Sequence, residues 1–428
     1  MRREHPGLVT TLAAGLVAAA VVVPSSLATG LRNGADEDDS DPAVITTWNA
    51  IAERTIFTEN ATPIPASGLY FGFLSIAVYD AVVTIEGHHR PYLKQPRAEA
   101  NASTEAAAAT AAYRVLSYYF PASAKRLKAD YTATLSDISG PEKTRGQQVG
   151  DAAAESLIAA RRKDGRGAAR TLDVTPGPGV WRSTPGAYEP MLVPWLGFVR
   201  PLVLKSPKQV RLPGPEPLDS TAYTREFAEL KQKGAKDSSR RTAAQTETAR
   251  FWSANPVAQY QQALRDQVSR RGLDIVTTAR AFALLGTSTA DALIACWRAK
   301  YDYASWRPIT AIHLAYTDRN SETTADADWT PLAATPPHPE YVSDHACITG
   351  AATETFRRLF GARSLDLYVT STVTATTRRF DSAALLDDET RSAQIWLGLQ
   401  LRQSVDDGNR LGHRTASWTA THEFLPKR

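Results

Sequence analysis

The sequence predicts an all-α fold built as one large helical bundle, and three observations carry that prediction. Apolar residues recur at helical spacing, as Trp48, Ile51 and Ala52 do near the start and Ile348, Ala352, Phe356 and Leu359 do near the end. Alanine-rich stretches at 101–113 and 151–160 favour helix, because alanine loses no side-chain freedom there. No run alternates apolar and polar residues clearly enough to read as a strand, and no internal repeat is visible.

The chain opens with Arg2 and Arg3, then an apolar stretch from Leu8 to Val23, then Pro24 and Ser26-Leu27-Ala28. A charged start, an apolar middle and a small-x-small exit form the pattern of a secretory signal peptide over residues 1–28. The stretch is short for a bilayer span, which takes about 20 apolar residues. No other stretch reads as a span. The expectation is a secreted, extracellular protein with no membrane partner after cleavage. Residues 29–42, holding Asp36-Glu37-Asp38-Asp39, read as an acidic flexible linker. Residues 43–428 read as a single helical domain. The 428 residues, 43% hydrophobic, suffice to bury a core without staples. Formal charge is +4, from 49 basic and 45 acidic residues mixed along the chain. No basic run carries interleaved aromatics, so no nucleic-acid partner is expected. The expected partner is a small-molecule or oxyanion substrate, and oligomerisation stays open.

Within the domain, Leu69, Phe73, Ile76, Ala77 and Val82-Val83 predict a buried helix. The region 171–220 is too rich in proline to be a helix interior. Its aromatics, Trp181, Tyr188, Trp195 and Phe198, predict that it packs down, either over a substrate cleft or as a plain surface wrap. Helical patterning resumes at Ser220 and continues through 239–252 and 257–271.

The chemistry concentrates in 290–412. Leu293, Ile294, Trp297 and Tyr301 form an apolar helical stripe, and Lys300 and Arg307 lie seven residues apart, two helical turns, so they are expected on one face. Pro308 ends or kinks that helix. Two cations held together call for an anion, and a tetrahedral oxyanion suits a guanidinium fork beside a point charge. Next comes Pro336-Pro337-His338-Pro339-Glu340-Tyr341-Val342-Ser343-Asp344-His345. The prolines make a stiff approach, Ser343 or Asp344 can cap the following helix, and Gly361 marks its end. A helix start offers free N–H groups and the positive end of the dipole to an anion. Ser343 adds a hydroxyl, and His345 sits where it can move a proton. Each residue also has a plainer role: a solvated lysine, a helix cap, a satisfied histidine. Cys296 and Cys347 flank these positions, and an exported chain permits a disulfide between them that braces the site; the alternative is two small buried apolar residues.

Lys300, six residues, Arg307-Pro308, followed by Pro-x-Tyr-x-Ser-x-His over 339–345, resembles the first two motifs of the vanadium haloperoxidase and type 2 phosphatidic acid phosphatase superfamily. The text from Cys296 to Pro308, Trp48-Asn49-Ala50-Ile51-Ala52, and the proline-rich segment around Trp181 look like its bacterial vanadium haloperoxidase-like branch. The resemblance implies an all-α bundle with Lys300 and Arg307 on the equatorial oxygens of vanadate. Ser343 and the backbone N–H of Asp344 would add donors, and His345 would act as acid and base. Peroxide-dependent halide oxidation or phosphoester chemistry would follow. Two departures matter. Asp344 stands where the family has glycine, bringing a carboxylate to an anion site. The third motif, arginine, five residues, histidine, reads Gln394 and Gln400. Glutamine replaces imidazole neither as a strong metal ligand nor as a phosphoryl nucleophile, so vanadate chemistry is expected to be impaired or altered. His413 is a candidate shifted replacement and Arg402 a candidate third cation. Three readings stay open: a haloperoxidase or phosphatase with a substitute ligand, a metal-free acid/base enzyme using His345 with Lys300 and Arg307, and a non-catalytic anion-binding protein.

Overall fold

A computed structural model describes residues 40–427. The expected leader, and the acidic segment up to Asp39, lie outside the described residues. The chain then forms α1 (Ala43–Glu53), α2 (Ile64–Glu86), α3 (Thr104–Tyr119), α4 (Ala124–Thr134), α5 (Gly140–Arg161), α6 (Thr221–Lys233), α7 (Ala243–Phe251), α8 (Pro256–Arg271), α9 (Ile275–Tyr303), α10 (Pro308–His313) and α11 (Asp344–Phe360). A hairpin of β1 (Leu367–Ser371) and β2 (Thr376–Phe380) precedes α12 (Ala383–Trp396) and α13 (Arg402–His422).

Two helices make the centre. α2 is apolar almost all round, and 18 of its residues are buried. Its 23 residues are long and apolar enough to cross a membrane, which the sequence analysis did not anticipate, yet 83% of its most apolar window is buried inside the fold. A helix apolar on every face is a core helix when other elements surround it. It packs on α9, whose 29 residues start at Asp274, the side chain of which accepts the Thr277 N–H. Gly72 permits the approach: a Cβ there would lie 2.9 Å from Leu202 and 3.3 Å from the Gly286 carbonyl. α11 and α13 meet still more closely, since a Cβ on Gly412 would lie 2.2 Å from the Cys347 carbonyl oxygen. This contact fixes the start of α11, where the candidate site forms, against the middle of α13.

The proline-rich stretch contains one short 3₁₀ turn, Pro194–Phe198, and otherwise runs without regular structure, as its prolines require. It is packed down. The buried carboxylate of Asp291 on α9 accepts the backbone N–H groups of Leu202, Val203 and Leu204 at 2.6, 2.7 and 2.7 Å. A loop held under other elements must satisfy its backbone somewhere, and here one carboxylate does so. The hairpin corrects the expectation of no strands. Its first strand buries Leu367, Val369 and Ser371 alternately, a period-2 signal only five residues long.

Candidate functional site

α9 ends at Tyr303, with Ala304 in the left-handed region at φ 44°. Arg307 is extended at φ −78° and ψ 154°, as a residue before proline is biased to be, and Pro308 opens α10. Lys300 and Arg307 therefore do not share one helical face; a reversal of the chain brings them to the same region. Both are fully buried.

Their roles diverge. Lys300 Nζ donates to the carbonyl oxygens of Pro339 at 2.9 Å and Glu340 at 3.0 Å, and it lies 3.5 Å from Asp344 Oδ1. An ammonium has three hydrogens, and all three have partners within the protein. Arg307 differs. One nitrogen, Nη1, lies 3.1 Å from the Gln400 carbonyl oxygen, while Nε and Nη2 have no partner. Buried unpartnered guanidinium donors are costly, and an anionic ligand would satisfy them.

Ser343 caps α11, its hydroxyl accepting the Ala346 N–H at 3.3 Å. Asp344 begins the helix. Burial works to raise its pKa, but His338, Lys300 and Arg307 outweigh it and hold the carboxyl well below the usual range. The site thus carries a built-in anion opposite its cations. His345 is 8% exposed, and neither ring nitrogen has a hydrogen-bond partner. Burial lowers its pKa to about 4, with Asp344 and the Trp252 backbone pulling weakly the other way. The imidazole is neutral at pH 7, packed edge-to-face on Trp252 at 6.1 Å.

Sequence reasoning missed three participants. His338 is buried, 3.9 Å from Asp344 Oδ1, and burial and Lys300 lower its pKa to about 3. Trp252 closes one side. Glu340, buried between the prolines and the cap, accepts the Leu401 N–H at 2.9 Å and the Gln400 amide at 2.8 Å. Burial raises its pKa, against the pull of the Leu401 N–H and Arg307. The available signal was an ionisable residue inside a stiff, otherwise apolar approach segment.

Arg307, His338, Asp344, His345, Gln394 and Gln400 line one cavity of about 410 Å³. Gln394 and Gln400 are 4% and 2% exposed, and the Gln394 amide nitrogen has no partner. Lys300 and Ser343 do not reach the cavity wall. Neither of the two remaining candidates does. Arg402 pairs with Glu229 at 2.8 Å, so it is not a third cation of the site. His413 lies between Asp387 at 2.8 Å and Glu354 at 3.4 Å, so it does not replace Gln400. Of the two readings offered for the cysteines, the structure has the second: Cys296 and Cys347 are free, buried thiols, with Cys296 donating to the Val342 carbonyl at 3.5 Å.

The bundle buries two cations, Lys300 at the end of α9 and Arg307 just before α10, and similar proteins are known. Residues 280–424 match the family model of the VCPO second helical-bundle domain. A vanadium chloroperoxidase of Curvularia inaequalis is 32% identical over 95 residues, which is 20% of this chain and 15% of that protein. The first bacterial vanadium-dependent iodoperoxidase structure superposes with a TM-score of 0.78 at 21% identity, covering 92% of this chain and 100% of that one. A holo-type bacterial vanadium-dependent chloroperoxidase superposes at 0.70 with 17% identity, covering 90% and 97%. Residues 280–424 thus match a vanadium chloroperoxidase domain model, and the described fold is that of the bacterial vanadium haloperoxidase structures.

The structural neighbours are vanadium-dependent peroxidases, but this chain departs from the residues that the family resemblance implies for vanadate. The position expected to bond it is Gln400, whose amide is engaged by Arg307, Glu340 and Ser404. A glutamine amide lacks the basic nitrogen such a bond uses. Asp344 adds a carboxylate on the wall, which opposes any oxyanion seated there. The unpartnered donors of Arg307 still offer an anion a seat.

Proposed function

We propose that this is a secreted haloperoxidase-family protein that binds a small anionic substrate directly and turns it over by acid/base chemistry. The supporting observation is that Arg307 Nε and Nη2 and both nitrogens of His345 are unpartnered around one cavity; Gln400 stands where the family resemblance implies a vanadate-anchoring imidazole. The anionic group of the substrate rests against Arg307. Neutral His345 takes a proton from an acidic C–H beside a carbonyl. Arg307 stabilises the oxyanion that develops, and the same imidazole returns the proton to carbon. Trp252 and Leu397 form an apolar part of the wall and limit water. Lys300 acts behind the wall, fixing the Pro339 and Glu340 carbonyls and holding Asp344 ionised.

Proton exchange of small 2-oxo acids such as pyruvate with deuterated water, followed by NMR, tests the chemistry. Exchange above background that is lost in His345→Ala supports it. Exchange independent of His345 contradicts it. So does halide-dependent peroxide oxidation of a phenolic dye by the unmodified protein in orthovanadate, which would restore the family reaction.

A further inference from the structure

A second cavity, of about 330 Å³, has Glu340 in its wall and shares no lining residue with the candidate-site cavity. Two pieces of the proline-rich stretch build one side, Pro178–Val180 and Pro215–Leu218. The packed-down stretch thus borders both cavities, since its Leu192 lines the candidate site. The remaining wall comes from α6, the segment before α10, and the start of α13.

Its chemistry is distinctive. Tyr223, Trp306 and Tyr341 contribute aromatic surface. Glu216, Glu226 and Glu340 contribute carboxyl groups. Glu226 is 7% exposed, and the charges that act on it are other carboxylates, from Glu340, Glu216 and Asp406. Burial and those charges push its pKa up to about 7. Glu229, one helical turn along α6, shows the contrast, because Arg402 and Lys233 neutralise it. Tyr223 is 2% exposed, and its hydroxyl has no hydrogen-bond partner. A buried carboxylate with no cation beside it, an orphaned phenol and aromatic walls have one common solution. An ammonium meets the carboxylate as a charge and the aromatic faces through their negative quadrupole, while its apolar body fills the proline-lined space.

We infer that this second cavity binds a small organic cation, an ammonium group carried on an apolar body, with Glu226 as its counter-charge and Tyr223 and Trp306 as its aromatic walls. The inference does not depend on what the candidate site does.

Titration calorimetry of the purified full-length chain with benzylammonium and with benzyl alcohol, its neutral analogue, tests it. The expected result is a Kd for the cation below about 1 mM and at least about tenfold weaker binding of the alcohol. Glu226→Gln is expected to abolish that preference while orthophosphate binding stays unchanged, which separates this cavity from the Arg307 site. In the unmodified protein, benzylammonium and not the alcohol is expected to raise the melting temperature, a readout that stands even if the variant folds poorly. Equal binding of cation and alcohol, no benzylammonium binding, or a preference that survives Glu226→Gln would each overturn the inference.

Discussion

Two imidazoles on neighbouring parts of the C-terminal bundle, His345 buried and His413 half-buried, are treated in opposite ways. His413 on α13 lies between Asp387 and Glu354, and although burial lowers its pKa, those two carboxylates raise it to about 9. It is a charged strut linking α11, α12 and α13. His345, at the start of α11, has no partner and a pKa lowered to about 4. The fold gives one imidazole two anions and leaves the other with both nitrogens open toward a cavity. A buried polar group without a partner costs stability, so its persistence marks a ligand or a reaction, whereas a paired one marks architecture. The same contrast separates Lys300, whose three hydrogens are satisfied, from Arg307, which keeps two free donors.

The comparison can be broken at several points. The largest effect is expected at Arg307. Arg307→Ala should weaken orthophosphate binding by about 100-fold in a calorimetric titration, because it removes the free cationic donors. An equivalent loss in Lys300→Met alone would show that the saturated lysine, not Arg307, holds the anion.

Next comes stability. His413→Ala leaves Asp387 and Glu354 without their shared partner and should cost about 3 kcal/mol in urea unfolding. His345→Ala removes a group with no partners and should cost clearly less, with its effect appearing in turnover. Equal costs would erase the distinction between strut and working residue.

The two histidines should also bend the pH profile of stability in opposite directions. His413 holds its proton more tightly folded than unfolded. Its contribution is complete below about pH 6.5 and is lost as pH rises through about 9. His345 resists protonation in the fold. The unfolded chain takes up that proton first, so stability falls as pH drops from about 6.5 toward 4. Subtracting the profile of each alanine variant from that of the parent should show about 2 kcal/mol on the alkaline side for His413 and on the acid side for His345. The smallest effect is expected at Asp344. Asp344→Gly removes the built-in anion and should tighten orthophosphate binding by about tenfold. Weaker binding would mean that the carboxylate orders the cradle rather than opposing its ligand.

Most of the fold was legible because helices announce themselves over many residues. The apolar repeats of α1, α2 and α11 and the proline density of 171–220 each translated directly. The hairpin was not legible, because five-residue strands rich in threonine carry too short a signal. The motif residues were legible as identities, and Arg307, Asp344, His345, Gln394 and Gln400 do line one cavity. Their division of labour was not. Nothing in the spacing of Lys300 shows that two backbone carbonyls and Asp344 occupy its donors. Nothing around Glu340 shows that it lines a second cavity while its carboxyl holds Gln400 and Leu401. The sequence left the cysteines open between a disulfide and two buried thiols: proximity to the site along the chain placed both at one packing interface, and they stand there as protonated thiols, with burial and the neighbouring Cys296 raising the pKa of Cys347.

The central claim is that the anion cradle survives while the vanadate anchor is gone. Calorimetric titration of orthovanadate into the unmodified protein and into Gln400→His tests it most directly. The account expects weak or no binding by the unmodified protein and markedly tighter binding by the variant. Tight, saturable binding by the unmodified protein, unaffected by the histidine, would contradict it.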